Sequence, residues 1–323
     1  MRRTGGNTSA AQATSGGSDE GREPNGGPTS SKPDPVEPST TGACAASAPG
    51  LYLVATPIGN LGDVSLRSLA VLCAADRIYC EDTRVTARLL ARYGITTPLR
   101  TYHDHNAEAI RPVVLAALRR GERVALVSDA GTPLVSDPGY KLVRAAIAEN
   151  LPVTAAPGPS AALTALILSG MPPDTFLFAG FLPRQQVARR QALARWAALE
   201  ATLIFYEAPS RLAASLADIS EILGPRQAAV ARELTKLHEE VRRGRLVDLA
   251  GHYRQIGPPR GEIVIVVGPP EAIVPDTGEV DLRLRTALAQ LGVRDAAAKL
   301  AAETGLPRKD LYRRAQAIRD GER

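Results

Sequence analysis

Two short polar segments combine side chains that can move protons or bind charged substrates. They are Glu81–Arg84 and His103–Asn106. Imidazole and carboxylate groups are common general acids and bases in enzymes, and the planar guanidinium of an arginine suits two-point contact with a phosphate. The alternative is that both segments serve only as hydrogen-bonded loops. The candidates for a general base are His103, His105, Glu81, Asp82 and Asp104, and the residue types alone do not rank them.

A metal centre is not predicted from these segments. His103 and His105 have the HxH spacing of a ligand pair, but no nearby cysteine or further histidine completes a set of three or four ligands. The three cysteines, Cys44, Cys73 and Cys80, lack CxxC spacing and are odd in number, so neither a zinc site nor a disulfide framework is indicated. The sequence therefore predicts no metal and a cytoplasmic protein.

Three Gly/Pro-rich loops follow predicted strands, at Thr56–Gly62, Ser128–Gly139 and Pro157–Ser160. Ligands of open α/β sheets bind beyond the carboxyl ends of the strands, so three such loops can converge on one crevice. Any one of them alone would be read as an ordinary turn. The GxGxxG, GxxxxGK[ST], GxSxG and HExxH signatures are absent, which argues against the dinucleotide, NTPase, hydrolase and metalloprotease classes that they mark.

Alternating strands and helices are needed to position these loops. Short apolar runs predict strands at Leu51–Ala55, Arg123–Val127 and around residues 152–156, with helical spacing between them. This βαβα order predicts a parallel sheet covered by helices. A second series predicts a helix at Pro209–Leu223 and strands at Thr175–Phe178, Thr202–Tyr206, Ala228–Ala231 and Glu262–Val267.

Both ends of the chain differ from this α/β part. Residues 1–48 contain no Leu, Ile, Phe, Tyr or Trp, and Gly, Pro, Ser and Thr supply 26 of the 48, which predicts a disordered leader. Residues 281–323 carry 10 Lys and Arg against 6 Asp and Glu, a net +4 of the +5 of the whole chain. Their two helical patterns, joined at Thr304–Pro307, outline a basic helix-turn-helix suited to phosphate contact.

The predicted organisation has five parts, and none of them spans a membrane, since no apolar run reaches about 18 residues. The parts are a disordered leader at 1–49, an α/β domain at 50–157, a second α/β domain at 158–270, a linker at 271–280 and a basic helical segment at 281–323.

The polar segments and loops, taken in order, resemble those of one family. The motifs that carry the likeness are Thr56–Asp63, Glu81–Arg84, His103–Asn106, Ser128–Gly139, Pro157–Ser160, Leu203–Glu207, Ala231–Lys236 and the pair Gly261 and Glu262. Over about residues 50–323 this order resembles the ribosomal RNA small-subunit methyltransferase I group of the tetrapyrrole methylase superfamily.

The resemblance implies a two-domain α/β methyltransferase that binds S-adenosylmethionine between its domains and works as a homodimer. Its expected target is the ribose 2′-hydroxyl of a cytidine in the decoding region of 16S rRNA. The expected partner is the free 16S rRNA or the small ribosomal subunit. Members that methylate porphyrin-like rings usually have a Gly-Asp-Pro triplet where this chain has Gly131, Thr132 and Pro133, and they lack the helical tail. A small-molecule methylase of the same fold and a non-catalytic RNA-binding module remain the alternatives.

Residue roles follow from the resemblance motif by motif. The implied cofactor contacts are Ile58, Thr132, Val135, Ser160, Ala161, Tyr206, Ala231 and the backbone of Glu262, with Asp129 and Gly131 adjoining them. Without the family, Val135 and Ala231 would be read as core residues and Thr132 and Ser160 as local caps. The candidate RNA contacts are Arg84, Asn106, Arg308, Lys309, Arg313 and Arg314.

Overall fold

The first of two five-stranded sheets is entirely parallel. A computed structural model describes residues 48–271 and 277–321. The strands of this sheet are Gly50–Val54 (β1), Arg77–Cys80 (β2), Leu99–Thr101 (β3), Arg123–Val127 (β4) and Val153–Ala156 (β5), in the order β3-β2-β4-β1-β5. Its helices are Leu66–Ala74 (α1), Thr83–Arg92 (α2), Ala107–Arg119 (α3) and Tyr140–Ala148 (α4). The predicted parallel sheet with crossover helices is confirmed.

Helices cover both faces of this sheet, which explains the continuous apolar runs of its central strands β1 and β4. Tyr52 and Val54 of β1 pack in one buried cluster with residues of α1 and α2. Leu51, on the opposite face of the same strand, packs in a second cluster with residues of α3 and α4. Successive residues of β1 therefore enter different halves of the core, as the two-residue period of a strand requires.

The second sheet is mixed. Its strands are Phe176–Phe181 (β6), Thr202–Glu207 (β7), Gln227–Arg232 (β8), Glu240–Arg245 (β9) and Ile263–Val267 (β10), in the order β6-β7-β10-β8-β9. Only β6 and β7 pair in parallel; the other neighbours are antiparallel. Ala161–Ser169 (α5) packs on one face, and Gln186–Ala194 (α6), Leu212–Leu223 (α7) and Leu246–Ile256 (α8) contribute to the core on the other. The predicted α/β class is thus confirmed for both sheets.

Three helices, not two, form the C-terminal segment. They are Thr277–Leu288 (α9), Val293–Thr304 (α10) and Arg308–Gly321 (α11), and they share an apolar cluster that includes Val280, Leu284, Leu300 and Leu311. Helix α9 begins inside the stretch predicted as a linker. Its buried Val280 and Leu284 have helical spacing, but the exposed Leu282 between them conceals the period. Residues 272–276 of that linker and 1–47 of the predicted leader lie outside the described residues.

No helix in the part of the chain that the structure describes is long and apolar enough to cross a membrane.

Candidate active site

A pocket of about 400 Å³ lies where the three Gly/Pro-rich loops meet the second sheet. Ile58 comes from the loop after β1, residues 130–132 and 135–137 come from the loop after β4, and Ser160 and Ala161 begin α5. Tyr206 of β7 and Val264 of β10 line the opposite side. The three loops therefore converge as predicted, on a cavity of the size that holds small cofactors.

Main-chain hydrogen bonds link these loops to one another. The N–H of Thr56 donates to the carbonyl of Gly131 at 2.9 Å, and the N–H of Gly131 donates back to the carbonyl of Thr56 at 3.0 Å. Gly131 has a φ of +78°, and a Cβ on it would lie 3.3 Å from Cγ2 of Ile58. The hydroxyl of Thr132 donates to the carbonyl of Pro159 at 3.2 Å. Glycine at 131 thus allows the close approach of two loops, and Thr132 joins the third.

A charged cluster holds the loop after β8 against the pocket. Nζ of Lys236 donates to Oε1 of Glu233 and to Oε2 of Glu262, both at 2.8 Å. The hydrogen bond from Lys236 is the main reason that the pKa of Glu233 is lowered. The N–H of Asn60 in the first loop donates to Oγ1 of Thr235 at 3.1 Å. This cluster ties the loop after β1 to the end of the second sheet.

Most of the residues predicted to contact the cofactor line this pocket. Asp129 does not, because its Oδ1 accepts the N–H of Asp82 at 2.9 Å. Ala231 does not line it either: it is 1% exposed in β8, where it pairs with Val264. The eight that do are Ile58, Gly131, Thr132, Val135, Ser160, Ala161, Tyr206 and Glu262.

Aromatic rings form part of the wall. Tyr206 meets Phe178 and Phe181 edge to face, with ring centroids 4.8 and 5.6 Å apart. Burial raises the pKa of the Tyr206 phenol, so this group stays neutral at physiological pH. Ser160 caps α5 by accepting the N–H of Leu163 at 3.5 Å, as its position in the sequence predicts.

Three carboxylates line the pocket, and two of them have cationic partners. Glu207 pairs with Arg211 at 3.3 Å and accepts hydrogen bonds from Ser215 and from the N–H of Ala208. Glu262 pairs with Lys236.

The third carboxylate, Asp137, has no ion pair among the described residues. Burial, with the negative charges of Glu81 and Asp129, raises the pKa of Asp137 to about 6, and a hydrogen bond with Ser128 offsets this only partly. Asp137 lies in the predicted loop Ser128–Gly139 but is not among the residues predicted for the site. The signal that could have identified it is a carboxylate in the same loop as Thr132.

The five predicted general bases do not line the pocket. Asp82 caps α2 by accepting the N–H of Arg84 at 2.8 Å, and the hydrogen bonds from Arg84 lower the pKa of Asp82 to about 2, far from that of a base at neutral pH. Glu81 follows β2 and is exposed as a residue; partial burial of its carboxyl group and the charge of Asp129 raise its pKa.

The second polar segment is a hydrogen-bonded turn. Oδ1 of Asn106 accepts the N–H of His103 at 2.9 Å, and its Nδ2 donates to Thr101. The rings of His103 and His105 meet edge to face, and Asp104 is exposed. Across the described residues, no three His, Cys, Asp or Glu side chains are grouped to hold a metal ion.

Arginines line α2, which starts beside this polar region; Arg84 and Arg88 are exposed and Arg92 is half-buried. Arg84, Arg88 and Arg92 recur every four residues and so share one side of the helix, which contains no acidic residue. Arg84 also pairs with Asp82 at 2.6 Å. Regular positive charge of this kind suits a polyanion.

The predicted RNA contacts of the tail have different surroundings. Arg308 and Lys309 are exposed at the start of α11, and Arg313 pairs with Asp310 at 2.5 Å on the surface. Arg314 instead forms an ion pair with Asp281 of α9, which gives it a role in holding these two helices together.

Comparisons with known proteins agree with this architecture. Residues 50–250 match the family model described as Tetrapyrrole (Corrin/Porphyrin) Methylases, and residues 274–319 match the RsmI C-terminal HTH domain. Among solved structures, the chain is similar to diphthine synthase, with a TM-score of 0.54 and 15% identity over 68% of this chain and 89% of that one. It is also similar to a cobalt precorrin-4 methyltransferase, with a TM-score of 0.52 and 18% identity over 68% and 94%. At these identities the likeness concerns the fold.

Sequence relatives are much more similar. The chain is 52% identical, over 84% of its length and 93% of the relative's, to the ribosomal RNA small subunit methyltransferase I of Mesorhizobium japonicum. It is 53% identical, over 84% and 96%, to the protein of the same name from Erythrobacter litoralis. With both family models matched in order along one chain, this protein belongs to the ribosomal RNA small subunit methyltransferase I family of the tetrapyrrole methylases.

Proposed function

We propose that this protein transfers the methyl group of S-adenosylmethionine to the ribose 2′-hydroxyl of a cytidine in the decoding region of 16S rRNA. The observation that carries the proposal is the pocket itself, where eight motif residues from separate loops meet beside a basic helix. The names of the relatives support a ribosomal RNA substrate. The ribose hydroxyl and the cytidine come from the resemblance of the motifs.

The pocket residues fit S-adenosylmethionine. This cofactor supplies an electrophilic methyl group on a positively charged sulfur. Ile58, Leu234 and Tyr206 offer apolar surface for an adenosyl group. Their task is alignment of oxygen, carbon and sulfur in one line, which contributes several kcal/mol to lowering the barrier.

Two basic surfaces are suited to the RNA. The side of α2 that carries Arg84, Arg88 and Arg92 starts next to the pocket region, and the exposed Arg308 and Lys309 lie on α11. Contacts between such side chains and phosphates position a nucleic acid without reading its sequence. We assign the choice of rRNA site to the combined shape of these surfaces and the pocket.

A homodimer is part of the proposal. Helix α5 buries Ala162, Ala165 and Leu166 against the second sheet but leaves Leu163 and Ile167, one turn apart, 50% and 74% exposed. Apolar side chains grouped on a surface are typical of an interface between subunits. Sedimentation velocity should give the mass of a dimer for the wild-type protein and of a monomer for Ile167→Glu; a monomeric wild type would contradict this assembly.

The function is tested by mapping ribose methylation in rRNA from cells with and without the gene, followed by methylation of undermethylated small subunits with the purified protein. One 2′-O-methylcytidine should disappear in the deletion strain and be restored in vitro. A small-molecule methylase of the same fold would leave the rRNA map unchanged. A non-catalytic RNA-binding module would show no binding of S-adenosylmethionine in calorimetry.

A further inference from the structure

The loop that carries Asp137 has an unusual backbone. Leu134 and Ser136 have φ values of 71° and 69°, in the region that L-residues seldom occupy, and Gly139 has a φ of 127°. A Cβ on Gly139 would lie 2.8 Å from Cδ2 of Leu126 in β4, so the loop folds back tightly over its own strand. Backbone of this kind persists where the surrounding structure fixes it, and it is concentrated at functional sites. Here it places residues 135–137 on the pocket wall.

The charges around Asp137 come from every element that borders it. Glu81 follows β2, Asp129 follows β4 and the neutral phenol of Tyr206 projects from β7. Of the other two carboxylates that line the pocket, Glu207 forms an ion pair with Arg211 and Glu262 forms one with Lys236. Among the carboxylates that line the pocket in the described residues, Asp137 is therefore the one without an ion pair, and the charges of Glu81 and Asp129 that act on it are negative.

We propose that, in the reaction proposed above, the carboxylate of Asp137 accepts the proton of the ribose 2′-hydroxyl as the hydroxyl oxygen attacks the methyl carbon. The O–H bond breaks and its proton passes to the carboxylate; the O–C bond forms, the C–S bond breaks, and the electron pair of that bond stays on sulfur. This inference depends on the proposed function, and it assigns a catalytic residue that the sequence did not rank.

Charge balance favours this assignment. One negative and one positive charge enter the step, on the carboxylate and the sulfonium, and both are gone at its end. No uncompensated charge is left in a partly buried pocket, where it would be costly. Burial, together with the charges of Glu81 and Asp129, raises the pKa of Asp137 towards the operating pH, where a general base is most effective.

The other candidates are less well placed. His103, His105 and Asp104 belong to the turn after β3 and do not line the pocket. Asp82 is committed to Arg84. Glu81 does not line the pocket, and its charge raises the pKa of Asp137, so we treat Glu81 as a positioning residue rather than a base.

The test is single-turnover methylation of small subunits at saturating S-adenosylmethionine, from pH 5 to 9, with wild type, Asp137→Asn and Asp137→Glu. The wild-type rate should fall as the pH drops through about 6, because the protonated acid cannot accept a proton. Asp137→Asn should be slower by about 10²–10⁴-fold and lack this acid limb. Asp137→Glu should restore part of the rate. The exposed loop variant Asp174→Asn is the matched control and should behave as wild type.

Affinity for S-adenosylhomocysteine, which has no positive sulfur, shows whether the pocket of each variant is intact and should change less than threefold. A saturated rate of Asp137→Asn near that of wild type would overturn the role of Asp137, as would a change confined to cofactor affinity. If Asp137→Asn does not fold, the role of Asp137 would be overturned by a wild-type pH–rate profile that shows no fall in rate near pH 6. Failure of the wild-type protein to methylate the subunit would overturn the proposed function and this role with it.

Discussion

Gly59 and Lys236 are in direct contact across the junction of the first loop and the second sheet. A Cβ on Gly59 would lie 2.5 Å from Cγ of Lys236 and 3.0 Å from the carbonyl oxygen of Leu234. Lys236 has little freedom to move, because its ammonium group is shared by Glu233 and Glu262. The missing side chain at position 59 is therefore what lets the lysine reach both carboxylates.

Gly59→Ala should weaken binding of S-adenosylmethionine about tenfold, because the added methyl group displaces Lys236 and the pocket residues Leu234 and Glu262 beside it. Overpacking of this kind costs about 1–3 kcal/mol. Calorimetric titration measures the affinity. Gly251→Ala is the control, since a Cβ there meets nothing within 4 Å on helix α8. Equal affinities for the two variants would show that the contact at Gly59 has no part in the pocket.

Thr132→Arg should fold but bind S-adenosylmethionine at least a hundredfold more weakly, because the longer side chain enters the cavity and the hydrogen bond to Pro159 is lost. Thermal melting checks the fold and calorimetry the affinity. The control is Thr96→Arg, which makes the same substitution in an exposed loop away from the pocket. Tight binding by Thr132→Arg would mean that this cavity is not the cofactor site. Ala231→Trp is unsuitable for this purpose, since residue 231 is buried within β8.

Replacing both Arg88 and Arg92 by alanine should reduce the salt dependence of RNA binding. Each lost phosphate contact lowers the slope of log affinity against log salt by about 0.7–0.9. Fluorescence anisotropy over a series of salt concentrations gives the slope. As the control, Arg119 and Arg120 at the end of α3 are both replaced by alanine, which changes the net charge by the same amount. If both pairs change the slope equally, only total charge matters and α2 is not an RNA surface.

Asp137→Asn should stabilise the protein at neutral pH. The pKa of Asp137 is raised from 3.8 to about 6 in the folded state, so the ionised form destabilises the fold fully above pH 6 and not at all below about 4. The gain at pH 8 is about 1–2 kcal/mol after allowance for partial exposure. Urea unfolding at pH 8 and pH 4 measures it. Equal gains at both pH values would rule out the electrostatic cause.

The strands that could be predicted from the sequence are those with continuous apolar runs. Strand β9 was missed because Glu240–Arg245 has no apolar alternation; it is an edge strand held by its ladder with β8. Strand β2 was missed because a run as short as Ile78 to Cys80 does not distinguish a strand from a helix. Helix α9 was missed because the exposed Leu282 lies between its buried Val280 and Leu284 and conceals the helical period.

The pocket was predictable in outline because glycine and proline mark loops in the sequence itself. Thr132 and Ser160 could be placed there only because their motifs resemble those of the family. The setting of Asp137 was not predictable, because it depends on burial and on Glu81, which follows another strand and meets it only through the order of the sheet. Proton affinity depends on such neighbours and not on residue type.

The paired main-chain hydrogen bonds between Thr56 and Gly131 have a consequence for the kinetics of ligand capture. They are made entirely by the protein, so the two loops are already ordered when a ligand arrives. A pre-organised site loses little conformational entropy on binding, which favours affinity. Association should then be limited by diffusion and entry, with no slow closing phase of these loops, and the amide protons of Thr56 and Gly131 should resist exchange with solvent as those of a strand do.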